Sequence, residues 1–294
     1  MTAKILDGRK ISAEIREELK QRVTRLKEMR VTPGLAGILV GEDPGSVTYV
    51  GLKGKACQEV GIEEHIDRLP ENVSEADLMR TIINLNQDSD IHGIFIQLPL
   101  PKHLSEDKAL AAVAPEKDVD GFHPVNVGKA WLGQPAFVPA VAVAIHEMLI
   151  RTGYDPRDKE VVIVNTDSMV GRPLASVLIQ DKEKARANIT LCYPTTPNLA
   201  SYTRRADILV VSVNQPKFIT ANMVKEGAVV MDFGSNFVED PVTKKRKTVG
   251  DVDFDTVTEK AGAITPVPGG VGPMLVTMLL VNTVRSAELA AGLA

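Results

Sequence analysis

Apolar residues recur at intervals of four and three along RKISAEIREELKQRVTRLKEMR, where Ile11, Ile15, Leu19, Val23 and Leu26 fall on one stripe. That period predicts an amphipathic helix. The pattern then changes. LAGILVG is a short, nearly continuous apolar run and reads as a buried strand. A helix from about Ser46, a strand near EEHIDRLP, a helix opened by Ser74 and the strand HGIFIQLP complete a βαβαβ series. A second series follows Pro139, beginning with a helix and continuing through the strands EVVIVN, NITLCY, DILVVSV and GAVVMDF with helical segments between them. Apolar strands alternating with helices predict parallel sheets covered on both faces. The expected fold is α/β: two three-layer domains with mainly parallel sheets, the second Rossmann-like, and a cleft between them. The join falls near GQPAFVPA, giving a catalytic domain of residues 1–138 plus 271–294 and a dinucleotide-binding domain of residues 139–270. FVEDPVTKKRKTVGDV reads as a polar hairpin turning at Asp240-Pro241.

Composition narrows the function classes. A length of 294 residues and 44% hydrophobic content suit one large or two ordinary globular domains. The formal net charge of −4 argues against a general nucleic-acid binder, which needs a surplus of Lys and Arg to neutralise phosphates. The run Lys244-Lys245-Arg246-Lys247 reads as a solvated hairpin face. No apolar signal core opens the chain and no run of about 18 apolar residues occurs, so a cytoplasmic protein without a membrane span is expected. Cys57 and Cys192 are far apart and form no Cys-x-x-Cys, and the five histidines show no paired ligand spacing, so no metal is assigned. Cys57 reads as packing. His123, beside the Asp120 segment, is the one histidine placed near candidate chemistry.

Candidate chemistry begins in SVTYVGLKGKAC. Tyr49 and Lys53 are four apart and share one helical face, while Lys55 points elsewhere. Gln97-Leu98-Pro99 ends the strand HGIFIQLP, at the sheet edge where parallel α/β folds bind ligands. In PEKDVDGFHP, Asp118 and Asp120 flank Val119. An Asp before Gly is often only a turn residue, but its carboxylate can also accept two parallel hydrogen bonds from an amidine-like edge. TPVPGGVGPM, from Thr265 to Met274, combines prolines with glycines and predicts a rigid loop able to press main chain against a ligand.

Taken together, Tyr49-x-x-x-Lys53, Gln97-Leu98-Pro99, Lys117-Asp118-Val119-Asp120-Gly121, Val249-Gly250-Asp251-Val252 and Pro266 to Pro273 resemble the bifunctional methylenetetrahydrofolate dehydrogenase/methenyltetrahydrofolate cyclohydrolase family. The resemblance runs from about residue 5 to 290. It implies that Lys53 is the catalytic lysine, that Tyr49 stacks on the folate aminobenzoate, and that Gln97 holds the lysine. It also implies that Asp120 binds the pterin, that Leu98, Pro99, Pro268, Gly269 and Gly270 help enclose the folate, and that the chain dimerises through its cofactor domain. Tetrahydrofolate is then the one-carbon carrier substrate. A methenyl bridge carries cationic charge, which disfavours a neighbouring ammonium and frees Lys53 to act as a base toward water. Arginine could not do this, because a guanidinium does not release its proton.

The nucleotide side departs from the family pattern. Where the family has Gly-Arg-Ser-x-x-Val-Gly-x-Pro, this chain has Asn165, Thr166, Asp167, Ser168, Met169, Val170, Gly171, Arg172 and Pro173. A glycine that admits the cofactor is Asn165, the 2′-phosphate arginine is Thr166, and Asp167 brings an anion toward phosphate. Further departures are Tyr193-Pro194 for His-Ser, Val141 to Ala144 for Thr-Pro-x-Gly, Asn214 for glycine and Leu275 for threonine. These changes predict a folate enzyme working through Lys53, by cyclohydrolase-type or other non-oxidative chemistry, with NADP-dependent oxidation weakened or lost. The alternatives are the full bifunctional enzyme using NADP or NAD, with Arg172, Arg204 or Arg205 supplying the missing cation, and a non-catalytic folate-binding subunit.

Overall fold

The structure is a computed structural model that describes residues 2–165, 169–239 and 246–293. Its contacts divide the chain into two compact units, one of residues 13–140 with 276–294 and one of residues 1–12 with 141–275. In chain order the first elements are β1 (Lys4–Ile5), α1 (Gly8–Glu28), β2 (Gly34–Val40), α2 (Pro44–Val60), β3 (Glu63–Leu69), α3 (Glu75–Gln87), β4 (Gly93–Ile96), α4 (Glu106–Ala112) and α5 (Pro124–Trp131). Then come α6 (Ala140–Thr152), β5 (Glu160–Asn165), α7 (Gly171–Leu178), β6 (Asn188–Cys192), α8 (Leu199–Thr203), β7 (Ile208–Ser212), β8 (Val229–Asp232), β9 (Asn236–Glu239), β10 (Arg246–Val249), α9 (Phe254–Thr258), β11 (Ala263–Ile264) and α10 (Gly272–Ala290).

The unit of residues 13–140 and 276–294 is built on a parallel sheet in the order β3-β2-β4. Every residue of the central strand β2 is buried, which is why its sequence is apolar without alternation. β3 lies at the edge and carries Glu63, Glu64 and Asp67 there. Gly37 is required by packing: it sits beside Phe95 in register, and a Cβ there would come 2.3 Å from the phenyl ring. Asp43 caps α2 by accepting the Ser46 N–H at 2.8 Å, and Pro44 occupies the first turn, so the helix begins two residues before Ser46. Gly61 ends it with φ of 85°. Ser74 caps α3 as the sequence pattern predicts.

The other unit holds a six-stranded, all-parallel sheet in the order β1-β11-β8-β7-β5-β6. β5, β7 and β8 are almost wholly buried apolar strands. The chain leaves β5 for β6 on one side and returns to β7 on the other, so the order reverses at β5/β7, the Rossmann-like switch point. The amino-terminal residues depart from the sequence expectation. β1 pairs with β11, Lys4 beside Ala263, and residues 1–12 belong with this sheet rather than with the first domain. Between β7 and β8 the chain forms only a 3₁₀ turn (Ala221–Met223), not a full helix. The flanks of the polar hairpin pair antiparallel as β9 and β10, from Asn236 beside Val249 to Glu239 beside Arg246. Its turn at Asp240-Pro241 and the lysines Lys244 and Lys245 lie outside the described residues. Among the described residues no helix is long and apolar enough to cross a membrane.

Candidate functional site

Helical periodicity places Lys53 on α2 with its side chain half-buried, while Lys55 is exposed, as the sequence reading expects. The Lys53 Nζ donates to Gln97 Oε1 at 3.3 Å. Gln97 follows β4, and its own Nε2 donates to the Leu98 carbonyl at 2.9 Å, which turns the amide oxygen toward the lysine. The ammonium also lies 3.7 Å from the centre of the Phe95 ring. Burial pushes the Lys53 pKa below its ordinary value, and the charges of Asp120, Cys57 and Glu64 partly oppose that shift. Such an amine is poised to exchange a proton with a neighbour. Tyr49, one turn earlier on the same helix, is 48% exposed and presents an open aromatic face.

The two aspartates of the KDVDG segment do different work. Asp118 is buried and accepts the N–H groups of Gly121, Phe122 and His123 at 3.0, 3.2 and 2.8 Å, together with the Asn126 amide at 2.8 Å. It is the turn-forming carboxylate. Asp120 is half-buried and accepts no hydrogen bond among the described residues, so its oxygens remain open. Burial pushes its pKa up to about 6, with Lys53 opposing the rise and Asp118 adding to it. The segment runs beside β4 through a parallel bridge between Ile94 and Asp118, toward the end from which Gln97 emerges. α10 holds it there: Asn282 donates to the Val119 carbonyl at 2.8 Å and Ser286 to the Glu116 carbonyl at 2.8 Å. The structure therefore brings Lys53, Gln97 and Asp120 into one electrostatically linked group.

Three neighbours of that group escaped the sequence reading. Phe95 was submerged in an apolar strand; the signal was Gly37, whose missing side chain makes room for the ring. Asn282 and Ser286, four apart on α10, were the trace of a polar contact made by that helix. His123 proves structural. Its Nδ1 accepts the Val125 N–H at 3.1 Å at the start of α5, and its Nε2 lies 3.1 Å from the Ala111 carbonyl. The Cys57 thiol is buried and its pKa is pushed up to about 12, which makes it inert packing. Among the described residues no cluster of His, Cys, Asp or Glu could hold a metal ion.

In the other unit, the carboxyl edge of the sheet at β5/β7 carries residues that the sequence reading assigns to the cofactor side. Asn165 ends β5 beside Ser212 at the end of β7. Its Nδ2 donates to the Ser212 carbonyl at 3.0 Å, and its Oδ1 accepts the Gly171 N–H at 3.2 Å, so one amide clips two strands and the start of α7. A side chain on Gly171 would collide with that amide. Val170 is buried, Arg172 is exposed on the first turn of α7, and Thr166 and Asp167 lie outside the described residues. Asn214 sits at φ of 56°, a left-handed conformation that asparagine tolerates and glycine favours. The 268–270 loop also belongs to this unit. Gly269 accepts the Gly8 N–H at 3.0 Å, and a Cβ on Gly8 would come 1.7 Å from the Gly270 oxygen. The close main-chain approach read from the glycines is thus made to the start of α1, and Pro268 is left exposed.

A parallel sheet with a switch point, a glycine at the start of the following helix and a polar strand end is a donor set suited to a dinucleotide. Comparisons with known proteins agree with both halves of this architecture. Residues 6–120 match the catalytic-domain model of the tetrahydrofolate dehydrogenase/cyclohydrolase family, and residues 139–291 match its NAD(P)-binding-domain model. The bifunctional protein FolD of Syntrophus aciditrophicus is 51% identical over 293 residues, covering 100% of both chains. The structure of the bifunctional FolD methylenetetrahydrofolate dehydrogenase/cyclohydrolase of Campylobacter jejuni superposes with a TM-score of 0.92 at 43% identity, over 98% of this chain and 99% of that one. The Trypanosoma brucei dehydrogenase-cyclohydrolase, solved with NADP cofactor and an inhibitor, gives 0.91 at 36% identity over 99% of each chain. With both domain models matched in order and relatives aligned over their whole length, the chain belongs to the tetrahydrofolate dehydrogenase/cyclohydrolase family.

Proposed function

We propose that this chain is a full bifunctional methylenetetrahydrofolate dehydrogenase and methenyltetrahydrofolate cyclohydrolase, using NADP or NAD, with Lys53 as the catalytic base. The observation that carries the reading is the half-buried Lys53 amine, hydrogen-bonded to a Gln97 amide whose orientation is itself fixed. The expectation of a weakened dehydrogenase finds no support among the relatives. Proteins about half identical over the entire chain bear the bifunctional name, and a solved relative carries NADP. The argument from altered residues is weaker than its count suggests, because Asn214 adopts a left-handed backbone of the kind glycine favours and Asn165 braces the strand ends.

Folate binding is assigned to Tyr49, whose open ring offers a stacking face for the aminobenzoate, and to Asp120, whose unengaged oxygens suit the two in-plane donors of a pterin edge. Leu98 and Pro99 line the same strand end, and the Pro268–Gly270 loop is assigned to the folate from the family pattern. In the hydrolytic step Lys53 takes a proton from water as its oxygen bonds to the cationic methenyl carbon. The same proton then serves the nitrogen that leaves as that C–N bond breaks, and the hydroxyl left on the carbon releases its own proton to solvent to become the formyl carbonyl. The amidinium charge holds the lysine in its neutral form, adding to the effect of burial. When bound, a nicotinamide supplies the hydride acceptor for the methylene carbon. Asn165, Val170, Gly171, Arg172 and Asn214, with Thr166 and Asp167, are the residues proposed to hold the dinucleotide. A second copy of the chain would cover exposed apolar residues of this unit, namely Leu191 on edge strand β6, Tyr193 after it and Phe237 on β9, and a homodimer is proposed on that basis. Supplying methenyl-tetrahydrofolate without nucleotide tests the lysine. Hydrolysis should fall by ~10²-fold or more in Lys53→Met, and a variant at the wild-type rate refutes the assignment.

A further inference from the structure

The motif Val249-Gly250-Asp251-Val252 has no part in the chemistry above, yet it supplies a heavily engaged carboxylate. Asp251 is 0% exposed. Its Oδ2 accepts the Val213 N–H at 2.6 Å and the Asn214 N–H at 3.1 Å, and its Oδ1 accepts the Gln215 N–H at 2.8 Å. The Asn236 amide donates a further bond to Oδ1 at 2.8 Å. Consecutive backbone N–H groups can converge on one carboxylate only if the chain turns tightly around it, and Asn214 at φ of 56° makes that turn.

Behind Asp251 stands a second buried acid. Asp232, at the end of β8, accepts the Gly234 N–H at 2.8 Å, the Asp251 N–H at 3.1 Å and the Val252 N–H at 3.0 Å. Its own N–H donates to Thr265 Oγ1 at 2.8 Å. Two glycines make this stacking possible. A Cβ on Gly250 would lie 1.9 Å from Asp232 Oδ2, and one on Gly234 would lie 2.3 Å from Asp251 Cγ. The arrangement spends two buried carboxylates on fixing the backbone that leaves β7, next to the switch point. It leaves Asn214 and Gln215 exposed there.

We propose that Asp251 is a positioning residue for the dinucleotide: its carboxylate sets the 213–215 backbone at the switch point into the conformation that the cofactor meets. The proposal rests on the dehydrogenase half of the function above. Asp251→Asn converts one accepting oxygen into a donor facing N–H groups, so the loop loses its template while the residue keeps its size. Asn236→Ala is the milder variant, removing one donor to Asp251 and leaving the loop contacts in place. Direct binding of NADPH and NADH, hydrolysis of methenyl-tetrahydrofolate, and amide hydrogen exchange at Val213, Asn214 and Gln215 are measured in each variant and in the wild type.

The expected result for Asp251→Asn is dinucleotide affinity reduced tenfold or more, faster exchange at those amides, and hydrolysis within twofold of wild type. Asn236→Ala should show a smaller loss of affinity, about threefold, with hydrolysis again unchanged. If Asp251→Asn does not fold, Asn236→Ala decides: weakened dinucleotide binding upholds the proposal, and unchanged binding overturns it. Equal losses of hydrolysis and dinucleotide binding in a folded Asp251→Asn would mark a merely structural residue and also overturn it. A wild-type protein that binds neither dinucleotide would refute the dehydrogenase reading; unchanged exchange at residues 213–215 in the variant would refute the role of Asp251 itself.

Discussion

At the scale of single residues, the site depends on charges kept partly out of water. Burial lowers the Lys53 pKa while Asp120 raises it, so the pH profile of methenyl hydrolysis should carry both marks. The rate should climb as pH rises through a lysine ionisation lying below the ordinary 10.5. Asp120→Asn should move that limb to lower pH, because it removes a charge favouring the ammonium; a limb moving upward contradicts the assignment. Asp120 itself makes a second prediction. Its pKa is raised from 3.8 to about 6 in the folded protein, so the folded state binds more protons between those values. The associated stability is present below 3.8 and lost as pH rises through about 6. Asp120→Asn should therefore raise the thermal midpoint of the ligand-free protein above pH 6 while weakening folate binding, a trade-off of function against stability. Tyr49, Lys53, Gln97 and Asp120 were picked out in the sequence because their motifs, taken in order, resemble those of the family, and the last three are linked in the structure. The division of labour between Asp118 and Asp120 was not legible there, because two aspartates one residue apart differ only in which backbone N–H groups reach them.

At the scale of elements, periodicity marked the long helices and buried strands; Ser74 caps α3 as read, while α2 starts at Pro44 under an Asp43 cap rather than at about Ser46. What escaped was set by distant partners. β1 is a two-residue strand whose existence depends on β11, over 250 positions later, and no local pattern encodes that pairing. The contact of Lys53 with Phe95 was hidden in the same way, through the glycine opposite it. Gly37→Ala tests that contact. Its Cβ would collide with the Phe95 ring, so the variant should lose about 1–3 kcal/mol of stability by overpacking. It should also slow methenyl hydrolysis by displacing the ring beneath the lysine. Denaturant unfolding with a hydrolysis assay checks both, and a fully stable, fully active variant would show that the ring has slack.

At the scale of the whole molecule, the residues proposed for hydrolysis and those proposed for the dinucleotide fall in separate compact units, one on a three-stranded and one on a six-stranded sheet. The two-domain α/β plan was readable from alternating strands and helices. Its function was harder to read, because substitutions against a family pattern do not reveal whether the backbone they leave behind still fits a ligand. Asn214 shows the difficulty: it stands where the family pattern has glycine, yet it adopts a left-handed backbone that glycine favours. The most direct test of the account supplies purified protein with methylene-tetrahydrofolate and either NADP or NAD and follows formation of the reduced nicotinamide. The account predicts sustained reduction with at least one of the two; no reduction with either, from protein that still hydrolyses methenyl-tetrahydrofolate, would contradict it.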